Sequence, residues 1–481
     1  MQTQLCTKVL SKTWNNDAKR WAVKLEHDLG PAHPPRHLTV QAQFVVLGSG
    51  VLTVPHAPTL NGVDVFRSEP GKTLLHTGRW DWSKSGGSQE CPDLSLFEGK
   101  KVGVIGTGAT GIQLIPHVAR RAAHTYVFQR TPSYVGFQLQ NTTTPEDWAR
   151  VACKKGWQYE RIASLDSMFT AEPGAENLVQ DSWSVIPGMI AFMGHSGKVV
   201  EPADEEKHVE EMLRLDYPWA EEMRARVDSI VQDKPTAEAL KPWYPSFCKR
   251  PTFSNEYLGL FNRPDVTLVD TDGKGVEAYT SNGVRASGQE YELDVLVLAT
   301  GYTVAALIDG SPDTIAETTL LGRGGRSLKN KWEADDFGTL FGQMSNGFPN
   351  LFFFTAHGAS FSHNALSAFE ICARCTSHVI REGMRRSDDP GRAVIEVSKE
   401  TEDDWGVKLS ERAGWFAAMA GCTPGFINGE GLMQERAEKL KMDEEKFQAG
   451  KRTLWGGGVM EYRRIIGDWI STGRMEGVEV R

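Results

Sequence analysis

The stretch KVGVIGTGATGIQLIPHVARRAAHTYVFQRT, residues 101–131, sets the fold class of this chain. Val102 to Ile105 is a short apolar run of the kind that forms a parallel strand buried on both faces. It breaks into Gly106-Thr107-Gly108-Ala109-Thr110-Gly111, a complete G-x-G-x-x-G. Ile112, Leu114, Ile115, Val118 and Ala119 then recur at helical spacing, and Thr125 to Phe128 is a second apolar run. The first glycine permits a tight turn, the second lets a pyrophosphate approach the backbone, and the third allows close packing of helix on strand. The anion rests on the helix N-terminus. A glycine motif alone is weak, but strand, turn, helix and strand follow in the order that a dinucleotide site requires. Gly106 to Gly111, with Gln113 in the helix behind them, are therefore candidate cofactor-binding residues.

The end of the second strand selects the nucleotide. A site for NAD places a carboxylate there to accept the ribose 2′-hydroxyl. This chain has Gln129-Arg130-Thr131, and a cation beside a hydroxyl suits a 2′-phosphate. Arg130 and Thr131 therefore point to NADPH, against the blander alternative that Arg130 is a solvated loop charge.

With 481 residues there is room for two or three domains. A formal charge of −9 argues against a nucleic-acid binder. No apolar run approaches a membrane span, and Met1 is followed by polar residues rather than by a signal peptide. The seven cysteines are scattered and odd in number, which fits reduced thiols in a cytoplasmic protein. Cys372 and Cys375 form a C-x-x-C without a second pair, so no metal site is expected.

In chain order, residues 3–13 and 20–26 read as two strands around Asn15-Asn16-Asp17. Phe44 to Leu47 is a buried strand ending in Gly48-Ser49-Gly50. Residues 144–240 are mostly helical, with Glu205 to Leu215 and Trp219 to Val231 as examples. Val266 to Asp270, Leu293 to Ala299 and Leu351 to Thr355 are strands, the second opening into Thr300-Gly301-Tyr302. A helix runs from about Ala365 to Ile380, and residues 390–481 are helical with loops at Gly421 to Gly431 and Gly456 to Gly458.

These motifs together resemble the Baeyer–Villiger flavin monooxygenases, most closely their fungal branch. The family fingerprint is recognisable in Phe66, Gly71 and His76-Thr77-Gly78-Arg79-Trp80-Asp81, with the Gly71–His76 spacing one residue longer than usual. VFQRTP (127–132), CKRPTF (248–253), FNRPDVTLVDT (261–271), LATGY (298–302) and GFPNLFF (347–353) are similar to family signatures. The resemblance implies an α/β fold with two Rossmann-like dinucleotide-binding domains and an inserted helical domain. It divides the chain into a partial FAD-type domain with fingerprint linker (1–96), an NADP-binding unit (97–143), the helical insertion (144–240) and the return of the NADP-binding domain (241–290). The FAD-type domain returns over 291–390, and a helical C-terminal region follows (391–481).

The implied reaction consumes NADPH and O₂ on FAD and inserts one oxygen atom beside a ketone. Arg250 matches the catalytic arginine, a permanent cation that stabilises developing negative charge. Lys249 matches a residue contacting the NADPH phosphate or ribose. His76 and Trp80 match fingerprint residues that couple domain motion to catalysis, or else simply order the linker. The expected partner is a small, bulky, hydrophobic ketone of fungal secondary metabolism.

Two departures accompany the resemblance. The family opens with a βαβ unit whose own G-x-G-x-x-G cradles FAD. Met1 aligns with the strand pair downstream of it, so roughly a hundred residues on the scale of a mononucleotide-binding half are expected to be missing. The family's Gly-Pro turn after GFPNLFF reads Thr355-Ala356-His357-Gly358 here, which makes His357 either a repurposed site residue or a core histidine. A flavin-free relative performing non-redox chemistry, or a non-catalytic remnant, are the alternative readings.

Overall fold

Trp14 and Trp21 flank the Asn15-Asn16-Asp17 turn and face each other across a hairpin, their ring centroids 5.6 Å apart. Edge-to-face pairing of that kind fixes the register of two strands that have little else to bury. The computed structural model in which this is seen describes residues 3–50, 52–303, 310–334 and 336–481. The hairpin strands are β1 (Thr7–Asn15) and β2 (Arg20–His27), extended by β3 (Arg36–Ala42) antiparallel to β2. The strand Thr319–Leu321 runs parallel to β1 at the other edge. The third strand was not expected from the sequence, because its side chains are almost wholly exposed and leave no buried alternation to read. β4 (Val45–Leu47) pairs in parallel with Leu351–Phe353, which returns from far along the chain.

The second sheet contains the glycine motif. It is built from β5 (Thr73–His76), β6 (Lys101–Ile105), β7 (His124–Gln129), β8 (Val266–Asp270) and β9 (Val295–Leu298), in the order β8-β7-β6-β9-β5 with every neighbouring pair parallel. Helix α1 (Ala109–Ala119) links β6 to β7. Its Ile112, Ile115 and Val118 are fully buried against Val102 and Val104 of β6 and Val127 of β7. Each such side chain contributes about 1.5–3 kcal/mol of transfer free energy, as an upper estimate. The chain leaves β6 toward β7 on one side, while β9 enters on the other. Ligands bind at such a switch point, outside the carboxyl ends of the strands.

Between β7 and β8 lies the helical block, with α2 (Trp157–Phe169) and α3 (Glu205–Ile230) as its long members. The two helical runs expected around Pro218 are one continuous helix. Loss of one backbone donor at Pro218 is tolerated because Met212, Asp216, Trp219 and Met223 are buried on both sides of it. This block shares its core with the C-terminal region, since Phe169, Met189, Met212 and Trp219 pack in one cluster with Trp415 and Ala418. The C-terminal region adds α4 (Ala365–Arg386) and α5 (Gly458–Thr472). An unanticipated antiparallel pair joins Ile395–Val397 to Val478–Val480. No helix among the described residues is long and apolar enough to cross a membrane. None of their His, Cys, Asp or Glu side chains form a group able to hold a metal.

Candidate functional site

Gly106 adopts φ +107°, and a Cβ there would meet the Ala299 carbonyl oxygen at 2.6 Å. At Gly111 a Cβ would meet the Gly106 carbonyl oxygen at 2.1 Å. These contacts force glycine at the first and third motif positions and bring the turn against the end of β9. Gly108 is different. A Cβ there meets nothing within 4 Å, and the residue is exposed at the N-cap of α1 without a side-chain cap. It leaves the backbone open at the positive end of the helix. Thr110 is exposed beside it, Ala109 half-buried, and Gln113 is exposed with its amide bonded to the Ala109 carbonyl at 2.8 Å. Thr107 is buried instead and donates to the Thr131 carbonyl at 3.1 Å, while Ser133 donates to the Thr107 carbonyl at 2.7 Å. Thr107 and Thr131 thus fasten the glycine turn to the segment after β7.

Arg130 is exposed at the end of β7, and its Nη2 pairs with Glu430 Oε2 at 2.8 Å. Lys249 Nζ donates to the Pro424 carbonyl at 3.1 Å and lies 5.1 Å from the Tyr244 ring centroid. Burial, reinforced by the Arg130 charge and opposed by Glu430, lowers the Lys249 ammonium to about 8. The segment that brings Glu430 and Pro424 here is the glycine-rich loop after Gly421. Asn428 knots it by accepting from the Gly425 and Gly431 amides and donating to the Cys422 and Thr423 carbonyls. Glu430 sits at φ 58° between two glycines of positive φ, a strained conformation for a side-chain-bearing residue.

A disulfide joins Cys248 to Cys422, with 5.1 Å between their Cα atoms. This corrects the expectation that all seven cysteines are reduced thiols. The loop folds back onto the CKRP segment and places the two cysteines together across 174 residues of sequence, a separation that composition cannot bridge. Cys6, Cys91, Cys153, Cys372 and Cys375 are free. Burial pushes the Cys372 thiol up to about 12 and Cys375 higher still, which makes that C-x-x-C inert. Cys422 and Glu430 were missed by sequence reasoning; the clustered glycines around 421–431 were the available signal.

Arg250 follows Lys249 and is exposed, its guanidinium 5.4 Å above the Trp183 ring. Among the described residues it has no carboxylate partner. Trp183 stacks edge-on against Phe253 at 5.0 Å and lies 5.7 Å from His363. A cleft of about 340 Å³ is walled by Trp157, Gln158, Arg161, Ile162 and Leu165 of α2 together with Val179 and Asn364.

His76 ends β5. Its Nδ1 accepts from the Gly78 amide at 2.9 Å, so the proton sits on Nε2, which donates to the His56 carbonyl at 3.1 Å. Burial, together with His56 and Arg79, lowers its pKa, while the bond to the His56 carbonyl opposes the shift. Trp80 donates to Ser85 Oγ at 3.0 Å and packs edge-on against Trp82 and Phe97. Both residues order the segment that leads into β6. His357 lies elsewhere, its Nδ1 bonded to the Arg452 carbonyl at 2.6 Å and its ring packed on Trp332 and Phe337. It is surrounded by core side chains.

Comparison with known proteins then decides the family. The polycyclic ketone monooxygenase of Thermothelomyces thermophilus is 41% identical over 476 residues, covering 97% of this chain and 71% of that protein. A Baeyer–Villiger monooxygenase of Stachybotrys chlorohalonatus is 33% identical over 475 residues, covering 98% of this chain and 70% of that protein. This chain belongs to the Baeyer–Villiger flavin monooxygenases. The monooxygenase fold is equally plain in three dimensions. The solved polycyclic ketone monooxygenase from Thermothelomyces thermophila superposes with a TM-score of 0.92 at 39% identity, covering 99% of this chain and 73% of that one. No family model matches the chain.

The residues present fit the nucleotide that the monooxygenase family uses. An uncapped helix N-terminus, an open glycine backbone and the cations Arg130 and Lys249, which now contact Glu430 and the Pro424 carbonyl, would suit a pyrophosphate and a phosphomonoester. The carboxyl end of β4 would be open to a flavin. There Val46 is 61% exposed, and neither Gly48 nor Gly50 would bring a Cβ within 4 Å of anything. Such an open, apolar backbone suits close approach of a planar ring system.

Proposed function

We propose that this protein is an NADPH- and FAD-dependent monooxygenase of Baeyer–Villiger type. It inserts oxygen next to the ketone of a bulky hydrophobic compound in fungal secondary metabolism. The overall reaction balances as ketone, O₂, NADPH and H⁺ giving ester or lactone, NADP⁺ and water. Bound flavin supplies the activation of O₂ by NADPH-derived electrons. The backbone of Gly106 to Gly111 and the α1 N-terminus hold the pyrophosphate, and Arg130 and Lys249 hold the 2′-phosphate. Arg250, a cation that never deprotonates, stabilises negative charge developing on the substrate carbonyl oxygen beside the low-dielectric surface of Trp183 and Phe253. The aromatic residues there exclude water and receive the carbon skeleton.

One observation supports this reading above the rest. Arg250 has no carboxylate partner among the described residues, lies over an indole, and stands next in sequence to the half-buried cation of the nucleotide site. A flavin-free isomerase or hydrolase has no use for the nucleotide cradle beside it. The test is incubation of the 481-residue protein with FAD, NADPH, ¹⁸O₂ and a fused-ring ketone. A product carrying one ¹⁸O atom in a new ester is expected. Unlabelled product, or ketone conversion without NADPH, would overturn the assignment.

The nucleotide roles make two further expectations. Arg130→Ala should weaken NADPH by about 10-fold or more while leaving NADH unchanged, the worth of one hydrogen bond to a charged group. Titration calorimetry decides it, and equal losses for both nucleotides would remove the 2′-phosphate assignment. Because the Lys249 ammonium is lowered to about 8, it is charged below that pH and neutral above it. NADPH affinity should therefore hold below pH 8 and fall as pH rises toward 9, with NADH flat across the range. Lys249→Met should abolish that slope.

A further inference from the structure

His363 follows Ser362 in the segment that enters α4, enclosed by the rings of Phe169, Trp183, Phe192 and Phe361 at centroid distances of 5.7 to 6.3 Å. Its Nε2 is buried and has no hydrogen-bond partner among the described residues. A buried polar atom left that way is costly, so a bonding partner is called for. The imidazole does not owe its position to chance packing. Asp166 of α2 accepts from Ser362 Oγ at 2.7 Å and from Ser367 Oγ, and Arg463 of α5 donates to the same carboxylate at 2.9 Å. The residues on both sides of His363 are thus pinned to two other helices. The neighbouring Asn364 lines the cleft walled by α2.

Trp183 relates this imidazole to the reaction centre. The indole carries Arg250 above its ring and contacts His363 as well, so the guanidinium and the imidazole are separated by no more than the span of one aromatic system and its neighbours. Burial, followed by the Arg250 charge, lowers His363 to about 4, so it is neutral at physiological pH and offers one donor and one acceptor. An apolar ketone would satisfy Arg250 and the aromatic walls and leave Nε2 unpaired.

We propose that His363 is a specificity residue whose Nε2 hydrogen-bonds a second oxygen function of the substrate, a hydroxyl or carbonyl remote from the ketone that faces Arg250. The substrate class is thereby narrowed from hydrophobic ketones to oxygenated polycyclic ketones. This inference rests on the placement of the reacting carbonyl at Arg250 under the proposed function. A site built to bond an oxygen discriminates against the analogue lacking it, because the polar group is then left buried and unpaired.

The test uses the full chain and two steroid probes of one skeleton, 5α-androstan-17-one and its 3-hydroxy derivative. Binding is followed by quenching of tryptophan fluorescence, and turnover by product formation with FAD and NADPH. Wild type should bind the hydroxy ketone about tenfold tighter, the worth of one buried hydrogen bond. His363→Phe keeps the aromatic box and should bring that ratio to about one. His363→Gln, which restores a donor and an acceptor, should recover part of it. Equal binding of the two probes by wild type, binding of neither, or a ratio unchanged in His363→Phe would overturn the proposal. Preferential binding without ester formation would instead sustain the role of His363 and defeat the monooxygenase assignment.

Discussion

Arg250→Ala should lower ester formation by about 10²–10³-fold or more, the loss found when one preorganised oxyanion stabiliser is removed. NADPH consumption should continue, with its electrons appearing as hydrogen peroxide rather than product. The split follows from where Arg250 sits. It touches neither the glycine turn nor Arg130, so nucleotide binding does not depend on it. Stability should hardly change, because the side chain is exposed and its contact with Trp183 is worth only about 0.5–1 kcal/mol at such a site. Arg250→Lys should rescue little, since an ammonium cannot lie flat on the indole. Coupled measurement of NADPH oxidation, peroxide and product separates the outcomes. Product formation that survives Arg250→Ala would mean that another group stabilises the developing oxyanion.

Asp166→Asn should destabilise the protein by about 3–5 kcal/mol, the cost of leaving a buried charge without its counterion. The Asp166 side chain is fully buried and that of Arg463 is 8% exposed, with two of the Arg463 nitrogens already lacking partners. Burial raises the Asp166 carboxyl above its ordinary range despite its serine partners and Arg463. Desolvation therefore outweighs the attraction, and the ion pair is not itself the source of stability. What is costly is breaking it on one side. Asp166→Leu combined with Arg463→Met should accordingly recover most of the loss. Denaturant midpoints at constant slope provide the measurement. A single mutant within 1 kcal/mol of wild type would show that water reaches Arg463. The same change leaves one oxygen where two accepted from Ser362 and Ser367, so any preference for hydroxylated ketones should weaken along with stability.

How much of this was legible beforehand differs by element. The parallel sheet was readable because Val102 to Ile105 is buried on both faces and Thr125 to Phe128 largely so, which leaves short runs rich in apolar residues, while Val266 to Asp270 at the sheet edge is only partly buried. Exposed β3 has no such mark. Neither does the pairing of Ile395–Val397 with Val478–Val480, which exists only once two distant segments lie side by side. The CKRP segment announced Lys249 and Arg250, but not that Cys248 would be joined to Cys422 or that Glu430 would meet Arg130. His357 drew notice in the sequence and His363 did not. Both are packed among aromatic rings, and the second shares one of them, Trp183, with Arg250.

The sequence by itself determined the dinucleotide cradle, because its glycines answer to contacts within one strand, one turn and one helix. It also determined the family, because ordered short motifs survive as linear text. Only the tertiary structure decided what stands around the cations at the site. Glu430, Cys422, Trp183 and His363 come from segments tens to hundreds of residues away, and they converge through packing of the helical block on the C-terminal region. Periodicity reports on the face an element buries, and it carries no information about which distant segment that face will meet.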